Sequence, residues 1–192
     1  MPCLHLRLLG GFKAQIAPGQ PLEIPTRKTR ALLAFLALPT GRAHSRDELA
    51  NLLWGDRADE QARNSLRQAI AELGRSLAGV EPSPLAKGPD TLELDPQAVE
   101  VDALIFERLA RSSDLHNLRA GTRMYDGELL AGFAVREAAF EEWLRHERQR
   151  LHELAISALR RLLARESGEH ALATAQCLLA LDALQEEGHR RP

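Results

Sequence analysis

The sequence has little of the features that mark membrane, secreted or disulfide-rich proteins. Its apolar stretches, such as residues 31–38, are too short to cross a bilayer, which takes about 20 residues. Residues 1–6 lack the basic start and apolar segment of a secretory signal. The two cysteines, Cys3 and Cys177, are too far apart in the chain to suggest a metal or redox pair. We therefore expect buried thiols, no disulfide, no membrane association and a cytoplasmic protein.

Catalytic patterns are also missing. The phosphate-binding pattern Gly-x-x-x-x-Gly-Lys-Ser/Thr does not occur. Residues 146–150 approach the zinc-protease pattern His-Glu-x-x-His but end in arginine, so a salt-bridged helix face explains them better. The other histidines are scattered, and spacing suggests no pair of nucleophile and base. We expect no enzyme activity, no catalytic residues, no metal site and no cofactor.

The charge is unevenly distributed along a chain that is long enough for two small domains. The 192 residues carry a net charge of -2. Residues 1–78 hold 11 Lys/Arg against 7 Asp/Glu, whereas residues 96–192 hold 13 against 16. A local basic excess is typical of nucleic-acid binding, so the N-terminal half is the candidate region for it.

Residues 60–77 carry the pattern on which the functional interpretation depends. On a helix, its apolar residues fall on one face that can pack on a core: Ala62, Leu66, Ala69, Ile70, Leu73 and Leu77. The opposite face carries Asn64, Arg67, Gln68, Ala71 and Arg75. Arginine can pair with guanine, asparagine or glutamine with adenine, and alanine allows close approach in a major groove. By itself, this face is better explained as an ordinary solvated helix surface, and the DNA-reading interpretation depends on the elements around it.

Two further helices are predicted before this one. Thr26 can cap a helix whose apolar body is Ala31–Leu38, and Ser45 with Glu48 forms a capping box for a second helix. A short turn at residues 55–59 then leads into the third helix. This order matches a helix-turn-helix, in which the later helix enters the groove.

Strand patterns flank the helices. Alternating apolar residues in the range 4–16 predict two strands joined at a pair of glycines, and residues 22–24 predict a short third strand. Residues 85–94 predict a hairpin directly after the third helix, which is the position of a wing. Lys87 is the one cation at the tip of this hairpin.

Three cations stand at the start of the first predicted helix, Arg27, Lys28 and Arg30. Positive charge at a helix N-terminus opposes the helix dipole, and contact with phosphates would explain it. The alternative is that these side chains only keep an exposed helix end solvated.

From Asp102 onward the pattern becomes helical. Helical spacing covers residues 101–109, 115–125, 140–163 and 171–181. Gly168 is predicted to end the long third helix. Small residues at the helix contacts indicate helix pairs of the tetratricopeptide type. Residues 184–192 look like the opening of another helix, which leads us to expect a fragment of a longer protein.

Motifs along nearly the whole chain follow the order of one known family. In the N-terminal half these are residues 6–12, 26–38, 45–50, 53–56, 62–69 and 90–95. In the C-terminal half they are residues 125–130, 132–133, 140–144, 147–148, 181–182 and 187–190. The chain resembles SARP-type regulators, in which the winged-helix output domain of response regulators is fused to a helical bacterial transcriptional activator domain. It departs from that pattern at Gly74, which replaces a cation.

The resemblance implies an α+β winged helix-turn-helix at residues 1–95 and an all-α, tetratricopeptide-like domain at residues 96–192. It implies a transcriptional regulator that binds double-stranded DNA through the third helix, with a helical domain for dimerisation or partner contact. The turn at residues 55–59 would contact RNA polymerase. The expected DNA-contacting residues are Arg63, Asn64, Arg67, Gln68, Arg75, Arg27, Lys28, Arg30 and Lys87. The alternative is a protein-interaction adaptor whose winged helix no longer binds DNA.

Overall fold

The computed structural model describes residues 4–16 and 19–189, with side chains described up to residue 181. The strands are β1 (Leu4–Arg7), β2 (Lys13–Ile16), β3 (Gln20–Pro21), β4 (His44–Ser45), β5 (Leu85–Lys87), β6 (Thr91–Leu94) and β7 (Val99–Val101). The helices are α1 (Arg27–Leu36), α2 (Arg46–Trp54), α3 (Asp59–Ser76), α4 (Asp102–Ala110), α5 (Leu115–Met124), α6 (Ala138–Leu163) and α7 (Gly168–His189).

The first sheet has the strand order β3-β2-β1-β7. The hairpin between β1 and β2 forms as predicted, because Gly10 and Gly11 take φ angles of 76° and 141° that other residues rarely adopt. The third strand lies at residues 20–21 rather than 22–24. Ile24 is buried by packing instead of strand pairing, and a single buried residue in a short segment imitates a strand pattern.

Strand β7 was not expected from the sequence. It runs parallel to β1 with Leu4 opposite Val99 and Leu6 opposite Val101, so the first sheet extends into the segment assigned to the helical half. Three residues are too few to give a periodic signal, and the partner strand is distant in the chain. Helix α4 begins directly afterwards at Asp102, whose carboxylate accepts hydrogen bonds from the Leu8 and Leu9 amides.

The winged helix-turn-helix forms as predicted. Thr26 Oγ1 accepts a hydrogen bond from the Thr29 amide (3.2 Å), and Ser45 Oγ accepts one from the Glu48 amide (3.1 Å), so both helix caps are confirmed. Strands β5 and β6 form the hairpin after α3, and β4 adds to β6 to give a second sheet of order β4-β6-β5. This part of the fold is the expected α+β arrangement.

The C-terminal half is helical, and its consecutive helices pack on each other from α4 to α7. Two details of the sequence interpretation were wrong. Gly168 begins α7 rather than ending α6, because its φ of 61° turns the chain into the next helix. Residues 184–189 continue α7 instead of opening a new helix, since residues 169–187 contain no glycine or proline that would end the helix before them.

The two halves share one hydrophobic core, which extends from Leu4 in β1 to Leu162 in α6. A backbone hydrogen bond also joins the two halves, since the Leu130 amide donates to the Leu8 carbonyl at 2.7 Å.

Among the described residues, none of the helices combines the length and apolar character that a bilayer crossing requires. Cys177 is exposed rather than buried as expected, because α7 packs mainly on α6 and leaves its other side uncovered; Cys3 lies outside the described residues.

Candidate nucleic-acid interface

Helix α3 is held in place by its apolar face and by one carboxylate. The buried residues of α3 are the predicted ones, Ala62, Leu66, Ala69, Ile70 and Leu73. Glu72 Oε1 accepts a hydrogen bond from the Thr26 amide (3.0 Å), and Glu72 Oε2 accepts one from Thr29 Oγ1 (3.1 Å). These bonds join α3 to the start of α1, so both the rotation and the axial position of α3 are determined.

The opposite face of α3 is exposed to solvent, as the pattern predicted. It consists of Asn64, Arg67, Gln68, Ala71 and Arg75. Within residues 4–16 and 19–181, no hydrogen bond or ion pair engages the four polar side chains of this face. Their donors and acceptors are therefore available to a ligand. We call these five residues the outer face of α3.

Arg63 lies beside this outer face and is partly engaged. Its Nε donates a hydrogen bond to Asp47 Oδ1 on α2 at 2.9 Å. This hydrogen bond, together with the negative charge of Asp47, raises the pKa of the Arg63 guanidinium. Both side chains remain more than half exposed, at 55% and 66%, so the guanidinium can still reach an external anion.

The three cations at the start of α1 have different surroundings. Arg27 is exposed, as expected for a phosphate contact. Lys28 forms an ion pair with Glu137 of the helical half and lies over the Trp54 ring, 5.2 Å from its centroid. Arg30 Nε donates to the Ile24 carbonyl at 2.6 Å. Lys28 and Arg30 thus make structural contacts within the protein, which their position in the sequence did not reveal.

The wing contacts α3 through a lysine. Lys87 is the last residue of β5 and is exposed. A Cβ atom built on Gly74 of α3 would lie 3.2 Å from Lys87 Nζ, so the ammonium group lies directly against the helix at this glycine. The sequence predicted Lys87 at the wing but could not predict this contact, because the two residues belong to different elements.

The comparison with protein families identifies this region. Residues 19–86 match the family model described as "Transcriptional regulatory protein, C terminal". Residues 19–86 therefore form a domain of this family. This regulatory domain contains α1, α2 and α3 together with most of the wing strand β5. It therefore includes every candidate DNA-contacting residue except Lys87, which directly follows the matched range.

The structural comparison covers the whole chain. The solved structure of Mycobacterium tuberculosis EmbR in complex with a low affinity phosphopeptide is similar, with a TM-score of 0.70 and 22% sequence identity. The similarity extends over 100% of this chain and 52% of that chain, so this chain spans about half the length of the EmbR chain. The fold of a regulatory domain followed by a helical half is thus confirmed. Among curated proteins, none matches the sequence.

The regulatory domain has two further features next to α3. The residues between α2 and α3, Gly55 to Ala58, and the first residues of α3 are all exposed. Arg46 was not among the DNA-contacting residues expected from the sequence. It begins α2 beside the wing turn, where its amide donates to the Asp90 carbonyl at 2.9 Å.

Within the described ranges, no group of three or more His, Cys, Asp or Glu side chains is arranged to hold a metal ion.

Proposed function

We propose that the chain is a sequence-specific DNA-binding transcriptional regulator without enzymatic activity, in which α3 enters the major groove. The observation that carries this proposal is the outer face of α3, whose amide and guanidinium groups are exposed and unpaired within the described residues while the opposite face is buried. From Asn64 to Arg75 this face extends about 16 Å along the helix axis. A major groove about 12 Å wide admits such a helix.

The side chains divide into two roles by their chemistry. Asn64 and Gln68 can each form paired hydrogen bonds with adenine, and Arg67 can do so with guanine. Arg63, Arg75, Arg27 and Lys87 are the candidates for phosphate contacts, which add affinity without sequence preference. Unlike the exposed Arg63, Lys28 and Arg30 are half-buried where they bind groups within the protein, so we propose no phosphate contact for them.

Selection of DNA from a random duplex pool by the purified full chain tests this function. The expected result is an enriched motif whose recovery requires the outer face of α3. A variant with Arg67→Ala and Gln68→Ala should enrich no motif, whereas Arg145→Ala, at an exposed arginine of α6, should enrich the same motif as the wild type. Failure of the wild type to enrich any motif at low salt would reject the proposal.

The second candidate function is a protein-interaction adaptor. It is favoured by the overall charge of -2 and by the exposed Leu172 and Leu179 on α7.

For either function, we propose that the helical half mediates dimerisation or partner contact. We also propose that the exposed segment from Gly55 to Asp59 is available to RNA polymerase. Sedimentation of the full chain with and without DNA would measure the oligomeric state.

A further inference from the structure

Gly74 lies in the last turn of α3, two residues before the helix ends at Ser76. A glycine within a helix lowers helix stability relative to alanine, so its presence calls for a local reason. The space that its side chain would fill is partly taken by another residue. A Cβ atom at this position would lie 3.2 Å from Lys87 Nζ, closer than an ordinary van der Waals contact.

The last turn of α3 is also a favourable place for a cation. The final carbonyl groups of a helix lack partners within the helix and carry a partial negative charge. An ammonium group that lies against this turn is therefore attracted to it, provided that no side chain intervenes. Gly74 removes the side chain that would intervene, and the wing strand β5 brings Lys87 to the same place.

We propose that Gly74 is a positioning residue for DNA binding. By leaving its own side-chain position empty, it lets Lys87 of the wing lie against α3 next to Arg75, so that helix and wing present two cations to the same stretch of DNA backbone. This inference rests on the proposed function, since it assigns Lys87 a phosphate contact.

The surroundings allow Lys87 to move without disrupting the fold. A hollow of about 380 Å³ lies between the end of α3 and β5, and its lining includes Leu77, Ser83 and Leu85. Within 4 Å, a Cβ atom at residue 74 would meet only the flexible end of Lys87. It is therefore expected to displace the ammonium group from the helix rather than to unfold the protein.

The experiment measures the binding of the full chain to a fluorescein-labelled duplex carrying the selected motif, over a series of salt concentrations. Loss of one phosphate contact reduces the slope of log K against log salt by about 0.9, which corresponds to about 8-fold weaker binding at 0.1 M salt. Lys87→Gln should show this loss, and Lys87→Arg should retain the wild-type slope. Gly74→Leu should weaken binding roughly 3- to 8-fold with a smaller slope.

The combined variant separates positioning from a direct effect of residue 74. In a Lys87→Gln background, Gly74→Leu should change affinity by less than about 2-fold, because no ammonium group remains to be displaced. Gly79→Ala is the matched control, since a Cβ atom there has no neighbour within 4 Å, and it should bind as the wild type does. If Gly74→Leu does not fold, Gly74→Ala carries the same test with a smaller displacement.

Three results would overturn the inference. One is wild-type affinity and salt slope for a folded Gly74→Leu variant. Another is an equal loss of affinity in the Lys87→Gln background, which would mean that residue 74 itself obstructs the DNA. The last is wild-type protein that binds no DNA at low salt; this result alone also rejects the proposed function, so the two failures can be told apart.

Discussion

The arginine and lysine residues near α3 differ in how strongly the protein holds them. Arg63 pairs with Asp47 at an exposed site, where water screens the ion pair, so exchanging this partner for a phosphate costs little. Lys28 pairs with Glu137, which is only 6% exposed. Removing the partner of a buried charge costs about 3–5 kcal/mol. Arg63 is therefore available for DNA binding, and Lys28 remains with the helical half.

Replacing Arg67 with alanine tests base reading by a single side chain. If Arg67 pairs with a guanine, the variant should lose about 1–3 kcal/mol of binding free energy and relax the preference at one position of the motif. Fluorescence anisotropy with the selected duplex and with single-base variants of it measures both effects. Arg145→Ala should leave binding unchanged. Unchanged affinity for Arg67→Ala would remove Arg67 from the base-reading set.

At the scale of elements, the orientation of α3 depends on the contacts that Glu72 makes with the start of α1. Glu72→Ala removes the acceptor of the Thr26 amide and of the buried Thr29 hydroxyl. Thr29 Oγ1 keeps its contact with Thr26 Oγ1 at 2.7 Å, and Thr26 is exposed, so the variant loses the hydrogen bonds without leaving a buried group unsatisfied. A typical hydrogen bond contributes about 0.5–1.5 kcal/mol, so the free energy of unfolding should fall by about 1 kcal/mol. Urea denaturation measures it. Glu23→Ala, at an exposed glutamate before α1, is the control and should change stability by less than about 0.5 kcal/mol.

The attachment of α7 depends on the carboxylate of Glu166, between α6 and α7, whose side chain is only 2% exposed. Burial raises the pKa of Glu166, but hydrogen bonds from Thr174 and Arg119 outweigh burial and hold the pKa below its ordinary value of 4.5. A carboxylate with a lowered pKa in the folded state stabilises the protein above its unfolded pKa. That stabilisation is lost as the pH falls through the folded pKa.

This linkage predicts an acid-sensitive contribution that a neutral side chain would not show. As the pH falls below about 4.5, the wild type should lose stability more steeply than Glu166→Gln does. Unfolding free energies from urea denaturation at several pH values measure the two slopes. Glu169→Gln, at an exposed residue of the same region, should keep the wild-type slope. Equal slopes for wild type and Glu166→Gln would contradict the prediction.

At the scale of the whole molecule, the continuous core predicts that both halves unfold together. Trp143 of α6 joins them, since its ring lies 5.0 Å from that of Phe35 in α1 in an edge-to-face arrangement. Trp143→Ala should lower the stability of the entire protein by about 2 kcal/mol, because a half-buried aromatic residue is lost from the contact between the halves. Trp143→Phe should retain most of that stability.

Calorimetry distinguishes joint unfolding from separate unfolding. We expect one transition for the wild type and one transition at lower temperature for Trp143→Ala. Two well-separated wild-type transitions would mean that the contacts between the halves, including the pairing of β1 with β7, do not couple their stability.

The features that could be predicted from the sequence are those with a local cause. The caps at Thr26 and Ser45 and the two faces of α3 follow from residues a few positions apart, and the structure has them as predicted. The regulatory domain and the helical half that follows were likewise predicted from the order of motifs. The base-contacting role of Arg67 stays a prediction, because no ligand contact tests it.

The sequence by itself determined which side of α3 is buried, because helical periodicity depends only on neighbouring residues. Only the tertiary structure decided which cations are available to a ligand, since Lys28 meets Glu137 and Lys87 meets Gly74 through folding rather than through spacing. It also decided that β7 completes the first sheet. Contacts between residues that are distant in the chain leave no periodic pattern in the sequence.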